Sequence, residues 1–358
     1  MLDDRDPATP PPHPAASVIV LTYNSAAHLS ACLDGLGAQT YRDFEVIVVD
    51  NASTDGSADL AGRCFPEALV VRNPVNTGYA AGCNTGFYRA RGEYLAVIGP
   101  DCEPQREWLA ALVAACREPG VGLATSMVRH HDHRARINTC GNDVHVLGLG
   151  FCHGLDDPWE MHAEPAPVAS ISGCSFAMPR KVLEHVGGFD EDFFMYCEDT
   201  DLSLRAWLAG YRVVYVPNSV AFHRYRLDIR PQKFFHLERN RHLVLLKNLR
   251  GRTLLALLPA LLAGDVMMWT YAALRGRAFL GAKVRAWRWL ITHRDLVREG
   301  RARIAAARRC GDPVLLRLMT PRLSDRQVLG ANPVAQGLGR VANTFFAAAL
   351  ALAHLFAR

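Results

Sequence analysis

Five carboxylates stand where a chain can put them to chemical use: Asp50, Asp101, Glu198, Asp199 and Asp201. Asp101 follows Tyr94-Leu95-Ala96-Val97-Ile98-Gly99-Pro100. The apolar run fits a buried strand, and Gly-Pro stops it, because proline cannot donate to a ladder and glycine permits a sharp bend. A carboxylate is thereby presented beyond a strand's carboxyl end, the edge at which open α/β sheets bind ligands. Asp50 ends a similar run, Glu45 to Val49, where an acid can accept hydrogen bonds from a ribose or a base N–H. A turn aspartate bonding its own backbone, or a capping aspartate, is the simpler account of either residue alone. Glu198, Asp199 and Asp201 fall in one first helical turn, where acids complement the helix dipole and cap free N–H groups. Phe193, Phe194 and Tyr196 beside them can help wall a cleft.

The elements that must position these acids alternate in kind. Ser17 to Leu21, Glu45 to Asp50, Ala68 to Arg72 and Tyr94 to Ile98 read as strands. Helical segments separate them, which argues for an α/β fold with a parallel sheet and right-handed crossovers. Asn73 to Phe87 is rich in small and turn residues, which let backbone approach a ligand or pack closely on a sheet. Further strands are expected near Val121 to Met127, Ser170 to Met178 and Arg212 to Val216, and helices near Arg106 to Glu118, Arg180 to Val186 and from Glu198 onward. Residues 129–169 carry six histidines at no metal-ligand spacing, and read as a loop region on the acceptor side of a site.

Several classes are excluded. No G-x-G-x-x-G follows the first strand and no G-x-x-x-x-G-K-[ST] occurs, so dinucleotide and P-loop chemistry fall away. The ten cysteines include no C-x-x-C and read as reduced thiols of a cytosolic chain. The net charge of +5 on 358 residues is modest, and no nucleic-acid partner is expected. Residues 1–15 are acidic, then proline-rich, and read as a disordered tail without signal-peptide character.

At this point the ordered set of segments resembles an inverting family 2 glycosyltransferase of the GT-A fold, in its rhamnosyltransferase-like branch. The matching pieces are Ser17–Ser25 (SVIVLTYNS), Val48–Ser57 (VVDNASTDGS), Asn73–Phe87, Gly99-Pro100-Asp101, Gly187–Arg205 (GGFDEDFFMYCEDTDLSLR) and His223. The resemblance implies a catalytic domain over residues 16–250. It implies that Asp50 binds the nucleobase with Thr22 and Asn24 nearby, and that Asn76, Gly78 and Asn84 border the donor pocket. Asp101 would end a metal-binding motif, with His223 a second ligand to Mg²⁺ or Mn²⁺. Asp199 would be the general base, and Glu198 and Asp201 would lie on the acceptor side. Gly99 replaces an acid or amide common in the family, and Ala81 and Cys83 replace glycines. The implied reaction moves a sugar, rhamnose in this branch, from a nucleotide-diphosphate donor to a hydroxyl of a cell-surface polysaccharide or lipid-linked glycan. A non-catalytic nucleotide-sugar-binding or assembly protein of the same fold is the alternative.

Residues 251–358 read as a helical appendage. Thr253 to Leu274 is long enough to cross a bilayer. Its seven leucines contribute about −2 to −4 kcal/mol, which Asp265 offsets by about 2.5–3.5. An arginine-rich stretch follows, with Trp287, Trp289, Leu290 and Ile291, as expected of a helix facing anionic lipid. Val341 to Ala357 is a second apolar stretch. Packing on the catalytic domain or on another subunit of an oligomer is the alternative to association, peripheral or integral, with the inner face of the cell membrane.

Overall fold

The computed structural model of the chain describes residues 13–329 and 333–357. The expected tail lies, as far as residue 12, outside the described residues. The first part alternates strand and helix: β1 (Ala16–Thr22), α1 (Ala26–Gly37), β2 (Phe44–Asp50), α2 (Ser57–Cys64), β3 (Leu69–Arg72), α3 (Gly78–Arg89) and β4 (Tyr94–Ile98). Next come β5 (Cys102–Pro104), α4 (Trp108–Arg117) and β6 (Val121–His130), then four short strands, β7 (Ile137–Thr139), β8 (Asn142–His145), β9 (Gly150–Cys152) and β10 (Ala166–Pro167). β11 (Ser175–Pro179), α5 (Arg180–Val186), α6 (Glu198–Leu208) and β12 (Arg212–His223) complete the sheet.

The main sheet runs β10-β12-β6-β11-β4-β1-β2-β3. β1 is parallel to both β2 and β4, while β11 enters antiparallel between β4 and β6. The sheet is therefore mainly parallel and mixed. The expected strand from Ser170 begins only at Ser175, because residues 170–174 turn into the site. β12 is longer than expected and continues to His223.

Residues of β1 alternate faces as strand geometry requires. Val18 and Val20 pack with Leu29, Leu33, Trp108 and Leu112 of α1 and α4. Ile19 and Leu21 pack with Ala80, Cys83, Phe87 and Leu202 of α3 and α6. Helices on both faces leave the carboxyl ends of β1, β2 and β4 as the free edge.

α7 (Pro231–Asn248), α8 (Gly251–Arg275), α9 (Arg277–Thr292), α10 (Arg294–Ala307), α11 (Pro313–Leu318), β13 (Met319–Thr320) and α12 (Pro333–Phe356) follow. One apolar core joins Phe193 and Leu204 to Leu243, Leu257, Leu290, Ile304, Leu315 and Phe346, so these helices lean on the loop before α6. β13 adds to β8 in a second, three-stranded sheet. Asp265 of α8 faces inward. It pairs with Arg241 at 2.8 Å and Lys283 at 2.6 Å, and both cations also pair with Glu238. Two carboxylates meet two cations there, so burial leaves no net charge uncompensated. The outer faces of α8 and α12 expose Leu255, Leu262, Val266, Leu338, Val341 and Leu355. Both α8 and residues 336–356 are long and apolar enough to cross a membrane by length and composition.

Candidate active site

Thr22 and Asp50 are register partners at the ends of β1 and β2. Both are buried, and Thr22 Oγ1 and Asp50 Oδ1 have no hydrogen-bond partner. Asp50 Oδ2 accepts only from Ser53 N, at 3.2 Å. Buried polar atoms without partners are rare and ask for an explanation; here both sit at the sheet edge that binds ligands in such folds. Asn24 lies beside them in the left-handed region (φ 51°) and clasps the next loop, accepting from Thr54 N at 2.8 Å.

Asn51, which the sequence did not single out, organises the next wall. Its amide donates to Asn76 Oδ1 and Gly78 O, both at 3.0 Å, and its carbonyl accepts from Asn73, Thr77 N and Thr77 Oγ1. Asn76 also accepts from Gly78 N at 2.9 Å, so it shapes the loop into α3. Gly78 has φ +84°, and a Cβ there would come within 2.5 Å of Phe194 O. Asn84 turns inward: it donates to Phe189 O and Glu191, and accepts from Phe189 N. That amide ties α3 to the 187–193 loop.

Asp101 and His223 meet because β5 pairs with the end of β12, with Cys102 opposite His223. Asp101 Oδ2 lies 3.4 Å from His223 Nε2. His223 Nδ1 is bonded to Asn138 Oδ1 at 2.8 Å, which leaves Nε2 to face the carboxylate. Burial opposes charge on Asp101, but the hydrogen bond and charge of His223 outweigh it and hold the carboxyl below its usual range. Burial likewise opposes charge on His223, yet Cys174 and Asp101 raise it to about 9. A Cβ at Gly99 would stand 2.8 Å from Asp101 Oδ1, so the glycine leaves that oxygen room. A carboxylate beside an imidazole held by its far nitrogen is a donor pair that fits a divalent ion.

The three acids at the head of α6 have separate surroundings. Asp199 Oδ2 accepts from Gly173 N at 3.0 Å and Asn142 Nδ2 at 3.3 Å, and Oδ1 from Thr200 N at 2.7 Å. Burial raises its pKa; the backbone N–H groups pull the other way without cancelling it. The helix end therefore does not by itself hold Asp199 in the ordinary carboxylate range. Glu198 is buried with Oε2 unpartnered, and burial, reinforced by the Asp199 charge, raises it well above the carboxylate range. Asp201 is fully buried, bonded to Arg205 at 2.7 Å and Asn248 at 2.7 Å. It faces the protein interior and leaves no oxygen for an acceptor, which corrects its expected placement on the acceptor side.

The loop entering α6 is backbone-strained, with Phe194, Tyr196 and Cys197 at positive φ. Such conformations persist where the surroundings over-determine them. Asn240 of α7 donates to the carbonyls of Phe193, Met195 and Tyr196, and Arg239 to that of Phe193. Lys247, fully buried, pairs with Asp190 at 2.6 Å and Asp192 at 2.7 Å. Residues 129–169 are built, not loose. His130, His153 and His162 each pair with a nearby aspartate, and the region brings Asn138 and Asn142 to the site.

The family "Glycosyl transferase family 2" matches residues 17–187, and "Glycosyl transferase family group 2" matches residues 108–292. The N-acetylglucosaminyl-diphospho-decaprenol L-rhamnosyltransferase of Mycobacterium tuberculosis is 30% identical over 231 residues, 58% of this chain and 75% of that protein. The pre-mycofactocin glycosyltransferase of the same organism is 27% identical over 230 residues, 63% of this chain and 46% of that protein. Among solved structures, mannosyltransferase PcManGT from Pyrobaculum calidifontis, in complex with GDP-Man and Mn²⁺, superposes with a TM-score of 0.50 at 21% identity, covering 96% of this chain and 86% of that one. GalNAc-T7 with UDP, GalNAc and Mn²⁺ superposes with a TM-score of 0.56 at 17% identity, covering 78% and 56%. The expected GT-A fold is the one observed.

Proposed function

Because the chain belongs to glycosyl transferase family 2, and is a glycosyltransferase of its rhamnosyltransferase-like branch, we propose that it moves rhamnose from a nucleotide-diphosphate donor to a hydroxyl of a lipid-linked or cell-surface glycan. The observation that carries this reading is the pair of unpartnered buried oxygens, Thr22 Oγ1 and Asp50 Oδ1, at the edge that also presents Asp101 and His223. The first pair takes the N–H and hydroxyl groups of a nucleoside. Asp101 and His223 would hold a Mg²⁺ or Mn²⁺ ion, which when bound supplies positive charge to the departing diphosphate. Relatives and neighbours whose names include a rhamnosyltransferase and Mn²⁺-bound transferases support both parts.

In the transfer, an acceptor oxygen forms a bond to the anomeric carbon as the bond to the diphosphate oxygen breaks. Asp199 takes the acceptor's proton, a role typically worth about 10²–10⁴-fold. Its raised pKa suits it to that task better than an ordinary surface carboxylate. Burial and the Asp199 charge push the Glu198 carboxyl beside it toward its neutral form, which disfavours a second charge in the pocket. One displacement inverts the centre and needs no enzyme nucleophile. The exposed apolar faces of α8 and α12, beside the arginines of α9, suit a chain resting on the cytoplasmic face of a membrane, where a lipid-linked acceptor is presented.

Calorimetry with a nucleoside diphosphate, with and without Mn²⁺, tests the donor half. Asp50→Ala should weaken binding even without metal, and Asp101→Ala should abolish the metal-dependent part. Affinity that survives both changes removes the assigned site. Donor binding without turnover, with or without added acceptor, would favour the non-catalytic alternative.

A further inference from the structure

Two thiols stand beside Asp101 and His223 and have no part in the transfer reading. Cys102 opens β5, opposite His223 in the β5–β12 ladder, and Cys174 directly precedes β11. The ligand atoms of Cys102, Cys174 and His223 all lie within 4.8 Å of one another. Asp101 adds a fourth donor: Oδ1 is 4.0 Å from Cys102 Sγ, and Oδ2 is 3.4 Å from His223 Nε2. Around a tetrahedral zinc-class ion, ligand atoms are separated by ~3.3–3.8 Å, given metal–ligand distances of ~2.0–2.3 Å. The spacings of Cys102, Cys174 and His223 therefore close on an ion when they shorten by about 1 Å, and Asp101 flanks the set through two different oxygens.

The surrounding shell is also in place. The bond from His223 Nδ1 to Asn138 fixes the ring and leaves Nε2 as the ligating nitrogen. Ser172 Oγ lies 3.2 Å from Cys174 Sγ and orients that thiol. Soft thiolate donors select zinc-class ions, whereas Mg²⁺ and Mn²⁺ prefer oxygen. The sequence hides this set, because Asp101-Cys102, Cys174 and His223 are far apart in the chain and the thiols share no C-x-x-C spacing.

We propose that Cys102, Cys174, His223 and Asp101 form a binding site for a divalent ion of the zinc class. Binding displaces the thiol protons to solvent. The ion there takes the imidazole and carboxylate that the transfer reaction's oxygen-preferring ion would use, so the two compete. The competition, though not the site itself, rests on the transfer reading of Asp101 and His223.

The test uses the whole chain, reduced and stripped with a chelator, with Co²⁺ alone as the probe. One Co²⁺ per chain is expected, with thiolate-to-cobalt charge-transfer absorption in the near ultraviolet that one equivalent of Zn²⁺ removes. Cys102→Ala and Cys174→Ala should each diminish the band, and the double variant should lose it, with metal-free thermal unfolding showing that each chain is folded. A folded wild-type chain without the band, or a band that survives in the folded double variant, overturns the site. If the double variant does not fold, an unchanged band in both single variants overturns it. No nucleotide or acceptor is present, so failure here leaves the transfer reading standing, and failure of that reading leaves this result standing.

Discussion

Asn142 Nδ2 lies 3.3 Å from Asp199 Oδ2, so a residue of β8 steadies the carboxylate at the head of α6. Removing a donor that favours the ionised form raises a carboxyl pKa. Asn142→Ala should therefore move the acidic limb of the turnover–pH profile upward. A hydrogen bond to a charged group contributes about 1.5–3 kcal/mol, so turnover should fall about 10-fold or more while nucleotide binding holds. A profile that does not move would show that Asn142 serves the fold alone.

Asp199→Asn keeps the shape and some of the hydrogen bonds but cannot take a proton. Turnover should fall by about 10²-fold or more, with donor affinity retained. Asp201→Asn should instead act on stability, by about 3–5 kcal/mol, because Arg205 loses its buried counter-charge. Urea unfolding and steady-state kinetics on both variants separate the roles; the reverse pattern would exchange them.

Gly78→Ala should destabilise the chain by more than ~1 kcal/mol, since its φ is positive and the added carbon meets the Phe194 carbonyl. It should also lower turnover, because the same contact displaces the loop entering α6. Unaltered stability and kinetics would show that the two loops are independent.

Lys247→Met should cost about 3–5 kcal/mol by removing the buried cation that Asp190 and Asp192 share, leaving Asp190 only the exposed Arg303 at 3.5 Å. Burial raises the Asp190 pKa, but Lys247 outweighs it and holds it below the usual range. A depressed folded-state pKa gives stability that is present above the unfolded-state value and lost as pH falls through the folded-state one. The wild type should therefore lose more stability on acidification below the ordinary carboxylate range than Lys247→Met does. Parallel acid-unfolding curves would remove Asp190 from the account.

Binding to anionic vesicles should weaken in high salt, because attraction to the exposed Arg275, Arg277, Arg285 and Arg288 is screened. Co-sedimentation that resists both salt and alkaline extraction would point to a spanning α8. Equal binding to neutral vesicles would remove the electrostatic part.

The half of the fold that carries the proposed donor site was legible because its strands are short apolar runs ending in turn residues, and helices flank each one. Asp50, Asp101 and Thr22 stand where those runs placed them. The half that carries the proposed acceptor side was not, because residues 129–169 form strands of two to four residues, too short for a period to show. Asn142 and Asn138 belong to those strands and carry no local signal. Asn51 did lie within a quoted motif, yet its five hydrogen bonds depend on a loop that begins at Asn73. Position in the first turn of α6 could not separate Asp199 from Asp201; Arg205 and Asn248 do so by drawing the latter inward. Asp265 read as a penalty for a spanning helix because Arg241 and Lys283 are remote in sequence.

The hold that Asn240 keeps on the Phe193, Met195 and Tyr196 carbonyls also sets an order of events during synthesis. Chains emerge from the ribosome amino end first, and contiguous units fold as they appear. Strands β1 to β4 need nothing beyond the first hundred residues or so to pair among themselves, apart from β11. The bend that positions Asp199 waits for α7, and β8, already paired with β9, gains its second partner β13 only near residue 320. A nascent chain thus holds the proposed nucleotide cradle before the proposed base, Asp199, is in place. Products that end prematurely before α7 should sequester donor without turning it over.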